Sequence, residues 1–174
     1  FLRLANHPEG LNISLRAISL STCGLVPQIR ALAGEGLPVT LSISLHAPND
    51  EIRRQIMPIA NRYPIAELMD AVRYYVRETG RRVVFEYALI DSLNSRPEHA
   101  RELARLVGGL QCHINLIPLN RVPERSLEPA SPEAISVFLH TLEALHVSAT
   151  CRREMGADIS GACGQLRNRH LEDR

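Results

Sequence analysis

The chain has 174 residues, 45% of them hydrophobic, and a formal net charge of +1. This size and composition fit one soluble globular domain with its own core, and the charge is no bulk signature of nucleic-acid binding. No run of about 18 apolar residues occurs, so we expect no membrane span. The first residues lack the basic start and apolar run of a signal peptide. We therefore expect a cytoplasmic monomer whose four cysteines are free thiols.

Short β-rich runs alternate with longer helical patterns along the chain. Hydrophobic periodicity predicts strands at 17–20, 39–45, 83–90, 112–117 and 147–151. Apolar spacing, with caps, prolines and glycines at the ends, predicts helices at 26–33, 51–57, 64–79, 97–107 and 132–145. This order predicts an α/β fold with a parallel sheet and right-handed crossovers. These strands are too few to close an eight-stranded barrel, so a partial barrel or an open sheet remains, and N-terminal strands missing from this chain fit both.

Polar side chains stand where the predicted strands end, which is where ligand sites form in parallel α/β folds. The first two strands end at Ser21 and at residues 44–46, the fourth is followed by Asn120, and the last leads to Cys163. Such convergence of hydrogen-bonding groups is what a ligand cleft requires. No two cysteines have the spacing of a zinc site, so we predict no metal ligand in this chain.

Four segments give the chain a specific resemblance. They are Leu-Ser-Thr-Cys-Gly-Leu-Val-Pro at 20–27, Ile-Ser-Leu-His-Ala-Pro-Asn-Asp at 43–50, Asn-Leu-Ile-Pro-Leu-Asn at 115–120 and Asp-Ile-Ser-Gly-Ala-Cys-Gly-Gln-Leu at 158–166. With these motifs in this order, the chain resembles the radical-SAM RNA adenine-C2 methyltransferases of the RlmN/Cfr type from about residue 2 to residue 167. The resemblance implies a partial (β/α) radical-SAM barrel, of which residues 1–167 form the C-terminal part and 168–174 a polar tail.

The resemblance also implies cofactors and residue roles. The cofactors are S-adenosylmethionine (SAM) and a 4Fe–4S cluster. Cys163 matches the cysteine that is first methylated and then donates its methylene carbon. The SAM contacts of the family match Ser21, Ser44, Leu45, His46 and Asn120. The CxxxCxxC cluster ligands, the Gly-Glu-Pro motif and the second cysteine of the family have no counterpart in the chain. We expect those ligands upstream, and we expect this chain alone to be inactive.

The implied reaction is methylation of C2 of an adenine in 23S rRNA, and in tRNA as well, with an electron donor for the cluster as a further partner. Two departures from the family pattern concern the rim of the cleft. Ser-Leu-Asn-Ser at 92–95 stands where relatives often have Gly-Val-Asn-Asp, and Arg121 replaces a common proline.

Three alternative functions stay open at this point. The first is a C8-specific enzyme of the same family, which shares the Cys-Gly-Gln-Leu motif. The second is a SAM- or RNA-binding fragment without catalysis. The third is an unrelated parallel-barrel lyase or aldolase, and the absence of any lysine excludes its Schiff-base version.

Several residues allow both a structural and a functional interpretation. Glu86 is either a carboxylate near the cofactor or a structural partner of an arginine, and Arg152–Arg153 either binds RNA phosphate or is a solvated strand end. Cys112 and Cys151 lie in predicted strands and are expected in the core, whereas Cys23 lies at a strand exit. Five further histidines are expected to be structural; they are His7, His99, His113, His140 and His146.

Overall fold

The computed structural model describes residues 1–120 and 127–152. Five strands pair in chain order to form one sheet, and every pairing is parallel. The strands are β1 (Ser19–Thr22), β2 (Thr40–Ser44), β3 (Val83–Leu89), β4 (Cys112–Pro118) and β5 (Ala149–Cys151). The predicted α/β class and parallel sheet are confirmed.

The described residues also form six α-helices and two 3₁₀ turns, of which α1 and the first turn precede β1 and the others follow it. The helices are α1 (Leu2–Asn6), α2 (Val26–Gly34), α3 (Asp50–Ile56), α4 (Ile65–Thr79), α5 (Pro97–Leu106) and α6 (Pro132–Ala144), and the turns are Leu15–Ala17 and Pro58–Asn61. The residues predicted to cap helices lie at helix ends in the structure. Asn49 and Ser131 accept the backbone N–H three residues on, and Gly80 ends α4 at φ 62°. Of the helices in this part of the chain, none is long and apolar enough to cross a bilayer.

Two strands begin two residues later than their sequence pattern predicts. β1 starts at Ser19 instead of residue 17 because Leu15–Ala17 forms a 3₁₀ turn. β5 starts at Ala149 instead of residue 147 because the end of α6 extends into this region: His146 adopts φ 59° and the Val147 N–H bonds to the Leu142 carbonyl. Val147 thus takes part in ending α6, although the residue types in this segment are typical of a strand.

The two faces of the sheet differ in polarity because side chains alternate along each strand. One face is apolar and packs against the helices; Ile43, Phe85, Tyr87 and Leu116 on it are fully buried. The Tyr87 ring lies 5.3 Å from the Phe138 ring of α6, centroid to centroid. The other face, called here the polar face, carries Ser19, Ser21, Ser42, Ser44, Glu86, His113, Asn115 and Thr150.

A buried arginine ties the carboxyl ends of β1 and β2 together. Arg53 of α3 has no exposed surface. Its guanidinium donates to the carbonyls of Cys23 at 2.9 Å, Leu45 at 3.3 Å and Ser44 at 3.5 Å, and also to that of Tyr63 at 3.3 Å. Burial lowers the pKa of Arg53, although the nearby charge of Asp50 acts to raise it. The strand ends thus converge on one cation that carbonyl dipoles solvate.

Gly24 leaves the space that this arginine needs. It adopts φ 101°, a conformation that favours glycine, and a Cβ at this position would lie 3.0 Å from Arg53 Nη2 and 3.3 Å from the Leu68 side chain. The guanidinium and the turn after β1 are therefore fitted to each other.

We predict that Arg53→Ala lowers the free energy of unfolding by about 3 kcal/mol or more, because it leaves several buried carbonyls without donors and opens a cavity. The adjacent and exposed Arg54 is a matched control, and Arg54→Ala should change stability by less than about 0.5 kcal/mol. Urea denaturation of both variants measures the difference. Equal losses would contradict the role given to Arg53.

Candidate functional site

The structure places the sequence-predicted site residues at the carboxyl edge of the sheet. Ser21 is the penultimate residue of β1, Ser44 is the last residue of β2, and Asn120 lies two residues beyond β4. Ser21 pairs with Ser42, and Ser44 pairs with Glu86. Because Ser42 and Ser44 alternate with buried residues, Ser21 and Ser44 share the polar face. Ser21 and Asn120 thus lie at the same end of the strands, and the ligand that they would contact remains a prediction.

Leu45 and His46 turn the chain away from β2. The Leu45 side chain is fully buried, and the backbone N–H groups of both residues donate to the Glu86 carbonyl, at 3.1 and 3.2 Å. The Leu45 carbonyl accepts from Arg53. Leu45 therefore has its side chain in the core and both of its backbone polar groups bonded within the protein, so it shapes this turn from inside.

His46 is held as a neutral imidazole. Its Nδ1 accepts the Ala88 backbone N–H at 3.0 Å, which assigns the ring proton to Nε2. Burial, with a smaller effect from the charge of Arg53, lowers the pKa of His46 to about 4. Nε2 has no acceptor among residues 1–120 and 127–152. The ring therefore offers one N–H donor to whatever occupies the cleft.

The polar face carries a network of side chains beyond the predicted site. Asn115 Nδ2 donates to Glu86 Oε2 at 2.7 Å, so the partner that Glu86 has within residues 1–120 and 127–152 is an amide and not an arginine. His113 bonds through its two ring nitrogens to the hydroxyls of Ser148 at 2.8 Å and Thr150 at 2.9 Å. Burial is the main cause that lowers the pKa of His113. Hydroxyl and amide groups therefore dominate this face.

Two residues that organise this edge escaped the sequence analysis. Arg53 stands beside Arg54 in the sequence, and nothing local distinguishes the buried one from the exposed one. Asn94 lies in the loop after β3 and is fully buried. It bonds across 48 residues to the His46 carbonyl. One indirect signal for Asn94 was present in the sequence, because the segment 92–95 departs from the family pattern but keeps its asparagine.

Three of the four cysteines lie within the described residues. Cys163, the predicted methyl carrier, lies outside the described residues, as do Arg121 and Arg153. Cys23 is exposed at the exit of β1, and Cys112 and Cys151 are half-buried, with both packed against the core. Within the described ranges, these three are free thiols, and no group of three or more His, Cys, Asp or Glu residues is placed to hold a metal ion.

Comparison with known proteins gives a consistent set of relatives. No protein-family model matches the chain. A probable dual-specificity RNA methyltransferase RlmN from Alkaliphilus oremlandii is 55% identical over 173 residues, which is 99% of this chain and 50% of that protein. The protein of the same name from Lachnospira eligens is 52% identical over 99% of this chain and 49% of its own length. The chain thus spans about half the length of the curated relatives it matches.

Solved structures agree with these relatives. The crystal structure of a radical SAM methyltransferase from Sphaerobacter thermophilus matches with a TM-score of 0.89 and 51% identity, over 94% of this chain and 48% of that one. A domain of pyruvate-formate lyase-activating enzyme from Bacteroides vulgatus matches with a TM-score of 0.55 over 77% of this chain and 98% of that one. At 15% identity, the second likeness shows a common fold alone.

We predict a pH-dependent loss of stability that originates at His46. Its folded pKa of about 4 lies below the ordinary value of 6.5, so the unfolded chain binds the extra proton first as the pH falls. The contribution is complete above pH 6.5 and is lost as the pH falls to about 4. It should amount to roughly 2 kcal/mol, because the ring keeps some contact with solvent.

Urea denaturation between pH 7 and pH 4 measures this loss. The control is His46→Asn, which keeps an acceptor for the Ala88 N–H but does not titrate. The stability difference between wild type and variant should shrink as the pH falls. A difference that stays constant over this range would contradict the assignment.

Proposed function

Because the chain belongs to the RlmN-type family of radical-SAM RNA methyltransferases, we propose that its full-length protein methylates C2 of an adenine in RNA. The proposed substrates are 23S rRNA and tRNA. The observation that carries the proposal is the combination of this relationship with the polar, hydrogen-bonding side chains at the carboxyl edge of the sheet, where parallel α/β enzymes bind ligands.

The cleft residues fit S-adenosylmethionine. The cofactor presents ribose hydroxyls, an adenine ring and a methionine carboxylate, which can form hydrogen bonds with hydroxyl, amide and imidazole groups. We assign its binding to the hydroxyls of Ser21 and Ser44, the amide of Asn120 and the Nε2–H of His46, which has no acceptor in the described part of the chain, while Leu45 supports the turn from the core. When bound, S-adenosylmethionine supplies the methyl group and, with an iron–sulfur cluster, the radical chemistry that an unactivated C–H bond requires.

Cys163 is proposed as the methyl carrier. A thiolate is a strong nucleophile, and it takes a methyl group from a sulfonium by displacement. The new bond joins the cysteine sulfur to the methyl carbon, while the carbon–sulfonium bond breaks and its electron pair stays on the departing thioether. C2 of adenine is electron-poor, so polar transfer of a methyl cation to it is unfavourable, and a carrier on the protein provides a separate route. Gly161 and Gly164 stand on either side of Cys163 in the sequence, and glycine is the residue that restricts the backbone least.

The described residues do not fit the iron–sulfur cluster. Cys23, Cys112 and Cys151 belong to three different strand regions, and no metal-holding group occurs among the residues described. We therefore assign the cluster ligands to the other half of the full-length protein and derive no step through them. The proposal includes an electron donor for the cluster, a monomeric state and a cytoplasmic location.

We predict that Cys163→Ala in the full-length protein abolishes RNA methylation while leaving binding of S-adenosylmethionine unchanged. The loss should be complete, because no other group replaces a covalent carrier. Mass spectrometry of the wild-type protein purified with its cluster should find an added methyl or methylene on the peptide that contains Cys163. Cys23→Ala is the matched control and should remain active. Methylation by Cys163→Ala, or a modification on Cys23 or Cys151, would show that the carrier is misassigned.

We also predict that the 174-residue chain alone has no methyltransferase activity, because it lacks cysteines with cluster spacing. The test is anaerobic reconstitution with iron and sulfide, followed by absorption spectroscopy and an assay for reductive cleavage of S-adenosylmethionine. A stable four-iron cluster on this chain would overturn the assignment of the ligands to the other half.

A further inference from the structure

We propose that Asn94 is a positioning residue that fixes the turn at His46, so that the imidazole directs its Nε2–H into the cleft. The identity of the ligand, S-adenosylmethionine, rests on the proposed function, whereas the contacts of Asn94 are properties of the fold. The proposal adds a residue from a different loop, 48 positions away in the sequence, to the predicted binding turn.

The side chain of Asn94 connects the exits of β2 and β3 through three hydrogen bonds. It is fully buried. Its Oδ1 accepts the Ile90 N–H at 2.7 Å, and its Nδ2 donates to the carbonyls of His46 at 2.8 Å and Ala88 at 2.7 Å. This pattern requires one acceptor and two donors on a short planar side chain, which an amide supplies and a carboxylate does not.

The His46 turn needs such support because its backbone is strained. His46 adopts φ 55°, a left-handed conformation that is uncommon for residues with a Cβ. Three contacts hold it, two to β3 and one to the loop after it: its N–H bonds to the Glu86 carbonyl, its ring Nδ1 accepts from Ala88, and its carbonyl accepts from Asn94. Without Asn94, the third contact is lost and the turn gains freedom to relax.

Asn94 is in turn anchored to the core. Its backbone carbonyl accepts the Tyr87 hydroxyl at 2.9 Å, and the Tyr87 ring packs against Phe138 on the apolar face. Since Asn94 has no exposed surface, it cannot touch a ligand itself. Its effect on binding must therefore pass through His46, which makes it a positioning residue and not a catalytic one.

The first experiment measures the His46 ring directly by ¹⁵N NMR of the imidazole nitrogens in the 174-residue chain. Wild type should show a single neutral tautomer with the proton on Nε2. Asn94→Ala should show a mixture of tautomers and a His46 pKa closer to 6.5, because the Nδ1 contact loosens with the turn.

The matched control is Tyr75→Phe, which also removes a buried hydrogen bond, from the Tyr75 hydroxyl to the Val39 carbonyl at 2.8 Å. Val39 immediately precedes β2, so this bond lies at the opposite end of the strand from His46. Tyr75→Phe should lower the melting temperature without changing the His46 tautomer. If Asn94→Ala does not fold, Asn94→Ser replaces it, because serine keeps a polar group in the loop but is too short to bridge to the His46 carbonyl.

The second experiment measures the Kd of S-adenosylmethionine for the full-length protein with its cluster. Asn94→Ala or Asn94→Ser should raise this Kd at least about fivefold, the smallest effect expected for a lost buried partner. Tyr75→Phe should leave it within about twofold.

The outcomes separate this proposal from the proposed function. An Asn94 variant that loses stability like Tyr75→Phe but keeps the wild-type tautomer and Kd would overturn the positioning role. Absence of S-adenosylmethionine binding by the wild-type protein would overturn the proposed function and the ligand named here. In that case, an unchanged tautomer in the Asn94 variant would still refute the positioning role, and a changed one would support it.

Discussion

The buried charge of Arg53 is the constraint on which the cleft depends. A guanidinium with no exposed surface must be solvated by the protein, and here backbone carbonyls perform that task. Three of the carbonyls, those of Cys23, Ser44 and Leu45, belong to the exits of β1 and β2, so the positions of both exits depend on where α3 places its arginine. α3 is itself fixed at its start, because Asn49 caps it and Asp50 accepts the N–H of Ile65 from the next long helix. Within ten residues, the chain therefore forms the turn at Leu45 and His46, the Asn49 cap of α3, and the arginine that connects the two strand exits.

The sheet is unusual for a parallel sheet because its two faces differ in polarity. Parallel sheets are normally covered on both faces and consist of continuous apolar runs. Here the alternation in β2 and β3 gives one apolar face, which packs against the helices, and one face of hydroxyl, amide and imidazole groups. A face of neutral hydrogen-bonding groups is suited to a ligand with many polar atoms and little net charge to compensate. Glu86, the single carboxylate among the residues named for this face, accepts a hydrogen bond from Asn115.

The sequence predicted what depends on local chemistry. Alternation identified β2 and β3, while the capping residues Asn49, Ser131 and Gly80 placed helix ends within one or two residues. The parallel arrangement followed from the order of elements, and the predicted cofactor-binding residues do lie at one edge of the sheet, while their role in binding stays a prediction. The assignment of Cys163 rests on its motif and stays a prediction.

What the sequence did not predict depends on contacts between distant segments. The burial of Arg53 follows from three segments that meet around it, and Asn94 gains its role from a turn that lies 48 residues earlier. The left-handed backbone of His46 is equally invisible, because a histidine at that position has no local reason to adopt it. Such features arise only when the strands have assembled, since each supplies one group of a shared arrangement.

The fixed imidazole of His46 also has a consequence for selectivity. The Ala88 N–H occupies Nδ1 before any ligand arrives, so binding does not have to restrict a rotating ring, and the entropic cost of ordering that side chain is already met by folding. A ring held in this way also distinguishes hydrogen-bond acceptors from donors. It favours a ligand atom with a lone pair at that point and disfavours an ammonium or a second N–H, which would leave two donors facing each other. Discrimination by donor and acceptor pattern is thereby built into a single backbone hydrogen bond at the end of β3.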